Sequence, residues 1–206
     1  MPLSIYRRRT ITELEGVNIA LQTIGEMSLT TASNIADVYE AKTALEILTE
    51  IRRTVLTEGL NCNTDEEWEL TADTSGYIAI APNILRVVSS DASNDYIMKD
   101  NKLYDKELNT FKFTASSIHK VDITWDLDFD NIPHTVAYYI AIRAARITYQ
   151  RLIGATDIVR ILMDDETKAH NKMIEHDVDT KNYNIFDVAA NSRIITRNRN
   201  PQGILG

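Results

Sequence analysis

The fold is decided by residues 120–147, KVDITWDLDFDNIPHTVAYYIAIRAARI, within which the spacing of the apolar residues changes. From Lys120 to Trp125 apolar and polar residues alternate, a pattern typical of a half-buried antiparallel strand. From Val136 onward the apolar residues recur every three or four positions, as they do along one face of a helix. The stretch therefore predicts that a strand-rich block ends here and that a helix begins at Pro133, a residue favoured in the first helical turn.

The block before this change, residues 63–130, contains short runs of β-branched and aromatic residues separated by turn sequences such as Asp100-Asn101. The predicted strands are Trp68–Thr71, Tyr77–Ala81, Leu85–Ser89, Tyr96–Lys99, Phe111–Thr114 and Lys120–Trp125. Strands this short need several partners to be stable, so we expect a small antiparallel sheet or a sandwich.

A first helix is predicted ahead of the block, from Glu13 to Ile24. Thr12 and Glu15 have the spacing of a capping box, in which each side chain accepts a hydrogen bond from the other residue's backbone N–H. Gly25 suits a left-handed C-terminal cap. Gly16, inside the helix, predicts the close approach of a neighbouring helix.

A second and longer helix is predicted from Asn34 to Glu58, with Ser33 or Asn34 as its N-cap and Gly59 after its end. At about 1.5 Å per residue it would be about 37 Å long. Its expected buried stripe consists of Val38, Ala41, Leu45, Leu48, Ile51 and Val55.

Two further helices are predicted after the block, one from Pro133 to Leu152 and one from Thr156 or Asp157 to Asp179. Gly154 separates them, and the acids Asp164–Glu166 are expected to lie mostly outward. The residues expected to face the core are Val136, Ile140, Ala144, Ile147, Ile158, Leu162, Ala169 and Met173.

These elements predict an α+β fold: a four-helix bundle with an antiparallel β-sheet or sandwich inserted between the second and third helices, plus an extended C-terminal tail. Because the bundle needs helices from both ends of the chain, we assign residues 1–62 and 131–187 to one helical domain. Residues 63–130 are assigned to an inserted β domain, and residues 188–206 to a C-terminal arm.

The composition is that of an ordinary globular protein: 206 residues, 44% hydrophobic and 25% charged. No apolar run approaches the roughly 20 residues of a membrane helix, and the N-terminal residues lack the apolar core of a signal peptide. Cys62 is the single cysteine, which excludes an intrachain disulfide and a cysteine-based zinc site. We expect the chain to fold in a reducing cytoplasm.

Charge is unevenly distributed along the chain, whose net charge is −8. Residues 1–12 and residues 188–206 each carry three arginines and no acid. Residues 13–187 contain 16 basic and 30 acidic residues, a net charge of −14. Such an acidic body repels phosphate groups, which argues against a DNA-binding protein. The basic ends are either solvated tails or arms that dock on acidic partner surfaces.

The sequence contains no recognisable catalytic, cofactor-binding or metal-binding motif. His170 and His176 are six positions apart on one predicted helix, about 240° around its axis, so they do not share a metal ion. There is no nucleophile elbow, no glycine-rich phosphate loop and no histidine close to Cys62 in sequence. We therefore predict that the chain is not an enzyme and needs no metal or cofactor.

The acidic run Asp126, Asp128 and Asp130 resembles the start of a calcium loop. The sixth and twelfth positions of that loop would be Asn131 and Ala137, where glycine and glutamate are required. We interpret the run as an acidic strand edge before the third helix, whose N-terminus favours negative charge. In a competing interpretation, two exposed carboxyl groups catalyse the hydrolysis of envelope polysaccharide. Such a catalytic pair needs two different environments, which separate the pKa values of the two carboxyl groups.

Tyrosine and arginine populate the flanks of the second and third helices, and these residue types dominate the hot spots of protein interfaces. We expect a subunit interface formed by Arg52, Tyr139, Arg143, Arg146 and Tyr149. The alternative is that the aromatic side chains complete the helical core.

Three stretches of the chain resemble the tail tubular protein A family, the head-to-tail adaptors of short-tailed bacteriophages. They are Val17-Asn18 with Leu21 and Ile24-Gly25-Glu26, Arg151-Leu152-Ile153-Gly154-Ala155, and Asp179 with Asn182-Tyr183-Asn184-Ile185-Phe186-Asp187. The length and the helix–strand–helix order are also similar. Most of the β block and the basic C-terminal tail depart from the family pattern.

The resemblance implies a structural virion protein that forms a dodecameric ring between the portal protein and the tail nozzle protein. Tail fibres would bind outside it, and DNA would pass through its lumen without specific binding; no membrane partner is implied. An acidic inner wall would keep DNA from sticking, and the basic C-terminal arm would dock on the portal. The predicted docking residues are Arg193, Ile194, Ile195, Arg197, Arg199, Pro201, Ile204 and Leu205. A neck or head-completion protein of another phage is the alternative.

Overall fold

Two helices, five short strands and two more helices follow one another along the described chain, residues 10–91 and 93–180 of a computed structural model. The predicted α+β class is confirmed. The helices are α1 (Glu13–Ile24), α2 (Tyr39–Thr57), α3 (His134–Leu152) and α4 (Thr156–Thr180). The strands are β1 (Thr64–Thr71), β2 (Ile84–Ser89), β3 (Tyr96–Lys99), β4 (Lys102–Asp105) and β5 (Ile118–Trp125).

Helix α1 has the bounds and both caps that its sequence predicts. Thr12 Oγ1 accepts a hydrogen bond from the Glu15 N–H at 3.2 Å, and Glu15 Oε2 accepts one from the Thr12 N–H at 2.8 Å. Gly25 ends the helix in the left-handed conformation, with φ of 86°. The close approach at Gly16 is confirmed as well, because a Cβ there would lie 3.1 Å from the side chain of Leu48 in α2.

Helix α2 begins later than predicted. Residues Ala32–Asp37 form a 3₁₀ helix, and Val38 is extended, with φ of −114° and ψ of 119°. Neither Ser33 nor Asn34 caps α2, so that prediction is wrong. The β-branched Val38 favours an extended backbone, and the 3₁₀ turn buries Ile35 in the helical core. The 19 residues of α2 span about 28 Å, shorter than predicted.

Helix α3 is central to the helical part, because it packs against α1, α2 and α4. Val136, Ile140 and Ala144 are buried as predicted, and Ile147 packs at the margin of the same core. Helix α4 contacts α3 and a 3₁₀ helix at Asn61–Asn63. The closed four-helix bundle stays a prediction.

The strands form a three-stranded antiparallel sheet in the order β1-β5-β2 and a β3–β4 hairpin. Asp100 and Asn101 form the predicted turn of the hairpin, with φ of 52° and 54°. Positive φ at both central residues matches the twist of the strands, and aspartate and asparagine tolerate it.

Two of the predicted strands are wrong. Tyr77–Ala81 contributes only an isolated bridge between Ala79 and Lys102, and Phe111–Thr114 forms no strand. The alternation in Tyr77–Ala81 does bury its two isoleucines, but the backbone makes only scattered hydrogen bonds to the hairpin. Strand β4 was not predicted, because two of its four residues are charged and only Leu103 and Asp105 turn inward.

A second apolar cluster lies in the strand-rich block, beside the helical core. Val121 and Ile123 face it, as the alternation predicts, but Thr124 on the opposite face of β5 is buried too. This burial arises because β5 is the middle strand and also contacts α2. The cluster contains Ala72, Ile78, Ile80, Ile84, Val87, Tyr96, Leu103, Val121 and Ile123. The division into a helical and an inserted β domain stays a prediction.

Candidate subunit interface

Arg143 and Arg146 of α3 both pair with the carboxylate of Glu166 on α4. Arg143 Nε lies 3.6 Å from Glu166 Oε1, and Arg146 Nε donates a hydrogen bond to Oε2. Gln150 Oε1 accepts a further hydrogen bond from Arg146 Nη1 at 3.0 Å. Of the three acids predicted to lie mostly outward, Glu166 instead turns toward α3. These largely shielded pairs hold α4 against α3.

Tyr139 and Tyr149, also predicted at an interface, are buried inside the chain. The hydroxyl of Tyr139 accepts a hydrogen bond from Arg143 Nη1 at 3.0 Å, and its ring lies 5.0 Å from that of His170 on α4. Burial raises the pKa of Tyr139, and the nearby Arg143 opposes that rise. Tyr139 belongs to the helical core, whereas Tyr149 is buried outside that cluster; their role between subunits stays a prediction.

Arg52, the fifth predicted interface residue, binds the first acid of the run at 126–130. Its Nη2 lies 3.3 Å from Asp126 Oδ1, while Arg53 Nε lies 3.3 Å from Oδ2. This contact joins α2 to the chain just after β5. Asp128 precedes a 3₁₀ helix at Phe129–Asn131. Within the described residues, no group of three histidine, cysteine, aspartate or glutamate side chains could hold a metal ion.

Sequence reasoning missed the exposed apolar side chains of α4. Of its 25 residues only Ala169 and Met173 are buried, as predicted, whereas Ile158 is exposed and Leu162 is half-buried. At about 100° per residue, Ile161 flanks the buried stripe on one side, and Met163 and Ile174 flank it on the other. Ile158 continues the stripe toward the N-terminus of α4, and Val178 lies nearly opposite it. Of these five residues, only Ile158 was predicted to face the core, and the sequence does not reveal how little of α4 the other described residues cover.

Ser117, His119 and Tyr96 form a hydrogen-bonded chain in the β block, which resembles part of a serine hydrolase triad. Ser117 Oγ lies 2.7 Å from His119 Nε2, and His119 Nδ1 lies 3.1 Å from Tyr96 Oη. A hydrolase triad has a carboxylate where this chain has the Tyr96 phenol. The imidazole also packs on Tyr96 and Phe113, and its burial lowers the pKa of His119. The arrangement is that of a packed aromatic cluster.

The predicted portal-docking residues lie outside the described part of the chain. They are Arg193, Ile194, Ile195, Arg197, Arg199, Pro201, Ile204 and Leu205. Among the described helices, none is both long enough and apolar enough to span a membrane.

A helix that leaves apolar side chains uncovered on both flanks, held by shielded ion pairs, is typical of a structural subunit that is completed in an assembly. A family model described as tail tubular protein matches residues 14–183. The chain belongs to the tail tubular protein family, the structural proteins of bacteriophage tails, which confirms the resemblance. It is 31% identical over 133 residues to tail tubular protein A of Klebsiella phage KP34, covering 63% of this chain and 67% of that protein.

Proposed function

We propose that this protein is a head-to-tail adaptor of a short-tailed bacteriophage. In this proposal, copies of the chain form a ring, twelve in number, between the portal protein and the tail nozzle protein. DNA passes through the lumen during ejection, and tail fibres bind outside. Membership of the tail tubular protein family supports a place in the tail, and the uncovered flanks of α4 support assembly with further copies.

The contact between subunits is proposed to use the exposed apolar residues of α4. Five of the exposed large apolar side chains lie on this one helix, and exposed apolar groups that cluster on one element mark contact sites. In this proposal, the role of Arg143, Arg146 and Tyr139 is indirect: they hold α4 against α3, so that its exposed side chains are in place for a neighbouring copy. Arg52 likewise holds α2 against the residues that follow β5.

The lumen is proposed to be lined by acidic side chains. The net charge of −14 over residues 13–187 supports this, since phosphate groups slide past a negative wall without binding. Exposed acids of α4, including Asp164, Asp165 and Glu175, add to that charge.

The proposal is tested by the mass of the purified chain in light scattering, alone and with purified portal protein. We expect a species near twelve times 23.4 kDa, seen as rings by electron microscopy. A chain with Ile161→Asp and Val178→Asp should fold, by circular dichroism, but lose the ring. Lys42→Asp places the same side chain at an exposed position of α2 instead of α4 and is the matched control. A chain that stays monomeric with portal and nozzle proteins present contradicts the adaptor proposal.

A further inference from the structure

Lysine side chains lie over aromatic rings on the β3–β4 hairpin and on the two chain segments beside it. We call this cluster the basic–aromatic patch. It consists of Tyr77, Lys99, Lys102, Tyr104, Phe111 and Lys112. Lys99 Nζ lies 4.9 Å from the ring centre of Tyr104 and 5.9 Å from that of Phe111. Lys102 and Lys112 approach the ring of Tyr77 at 4.8 and 5.8 Å. The rings are half-buried and the three lysines exposed.

The lysines of this patch have no carboxylate partner within the described chain, although Lys106, Lys120 and Lys168 each have one. Lys99 and Lys102 are directly opposite in the hairpin register, where like charges repel. Aromatic faces attract cations but do not neutralise them. The patch therefore presents unpaired positive charge on a body whose net charge is strongly negative.

Strand β1, an edge strand of the same block, carries the opposite charge. Asp65, Glu66, Glu67 and Glu69 are all exposed. Glu67 pairs with Lys120, and Asp65 accepts a hydrogen bond from the indole of Trp125. Glu66 and Glu69 form no ion pair with any described residue. This segment, residues 65–69, is called the acidic edge.

Within one copy, the lysines of the patch form no ion pair with residues 65–69 of the described chain. Those residues lie on the edge strand β1, whereas the hairpin packs on β2 and, through Tyr96, on His119 of β5. Two different, complementary surfaces of a subunit produce head-to-tail contacts, which close into a ring when the rotation permits. We propose that the basic–aromatic patch of one copy binds the acidic edge of the next copy; this inference rests on the proposed ring.

Charge complementarity favours a second copy over DNA as the occupant. A nucleic acid would have to approach a body of net charge −14 through three lysines, whereas a neighbouring copy supplies carboxylates at a fixed spacing. Individual exposed ion pairs are weak, but repetition around a ring makes their sum substantial. The contact should therefore weaken as salt concentration rises.

A charge-swap experiment tests the pairing. One full-length variant carries Lys99→Glu and Lys102→Glu, and the other carries Glu66→Lys and Glu69→Lys. Each variant alone places like charges at every contact, which should weaken each contact by about tenfold and reduce ring formation. Mixed in equal amounts, the two variants should form alternating rings again. Lys42→Glu, at an exposed position of α2, is the control and should assemble as the original chain does.

The outcomes separate this inference from the adaptor proposal. If the original chain forms rings and either variant alone forms them equally well, the charged contact is overturned. The same holds if both variants fold, fail to assemble and are not rescued by mixing. If the original chain binds duplex DNA at about 200 mM salt and Lys99→Glu with Lys102→Glu abolishes that binding, the patch is a nucleic-acid site instead. If the original chain itself forms no ring with portal protein, the adaptor proposal fails.

Discussion

At the scale of single residues, Asn63 holds the helical part and the sheet together. Its Nδ2 donates hydrogen bonds to the carbonyl oxygens of Leu56 at 2.9 Å and Trp125 at 2.8 Å, while its Oδ1 accepts one from the Leu60 N–H at 2.9 Å. The side chain is 2% exposed. The amide of Asn63 thus joins the end of α2 to the end of β5. Because the site is buried, water does not take over these hydrogen bonds.

Replacing Asn63 with alanine should destabilise the chain by about 2–4 kcal/mol, because the buried Leu60 N–H loses its acceptor and the carbonyl groups of Leu56 and Trp125 each lose a donor. Urea unfolding followed by circular dichroism measures the change. Asn61→Ala is the matched control, since the Asn61 side chain makes no hydrogen bond with any described residue. Equal unfolding midpoints for the two variants would contradict the role assigned to Asn63.

Cys62, one position earlier, should be a slow nucleophile. Burial, aided by the carboxylate of Asp177, raises the pKa of its thiol from 9.0 to about 11. Near pH 8 the folded chain then holds about one hundredth of the thiolate of the unfolded chain, and only the thiolate reacts. Labelling with a disulfide reagent should be correspondingly slow in buffer and fast in urea. Comparable rates in both solvents would show that the thiol is not protected.

At the scale of elements, the sequence predicts what depends on local chemistry and misses what depends on distant partners. The caps of α1 follow from Thr12, Glu15 and Gly25, which act within a few residues of each other. The start of α2 was misplaced because burial of Ile35 depends on contacts with other helices. The exposure of Ile158 depends likewise on what the rest of the chain leaves uncovered.

The residues predicted at the subunit interface show the same limit of sequence reasoning. Their tyrosines and arginines could be selected by residue type, but sequence spacing did not reveal that Glu166 on another helix pairs with Arg143 and Arg146. The basic–aromatic patch was not predicted at all, because Tyr77 and Lys102 are distant in sequence and meet only through the hairpin.

Neutralising Glu166 should therefore loosen α4. Glu166→Gln leaves two partly shielded guanidinium groups without their counter-charge, which should cost about 1–3 kcal/mol of unfolding free energy. The adjacent Asp165→Asn removes only the exposed pair with Lys168 and should cost less than about 0.5 kcal/mol. Thermal or urea unfolding compares the two. Equal losses would mean that the α3–α4 pairs carry no more energy than a surface pair.

At the scale of the whole molecule, charge is divided between an acidic body and basic ends. The body is acidic, and each end carries three arginines without an acid. If the basic C-terminal arm attaches the ring to the portal, attachment and ring formation use different parts of the chain. Ring contacts would lie on α4 and in the β block, and portal contacts on residues 188–206.

Deleting residues 194–206, which include Arg197 and Arg199, should abolish docking to portal protein while leaving α4 and the strand-rich block to form their contacts. Co-sedimentation with purified portal protein measures docking. If the ring forms only in the presence of portal protein, the shortened chain is mixed with a small amount of the original chain. The composition of the resulting rings then shows whether shortened copies still join them.

A full-length chain with Arg193, Arg197 and Arg199 changed to alanine separates the effect of charge from the effect of length. It should dock weakly and lose the salt dependence of docking, because the multivalent electrostatic term is gone. Docking of the shortened chain at the original strength would place the portal contact elsewhere, and the basic ends would then be solvated tails.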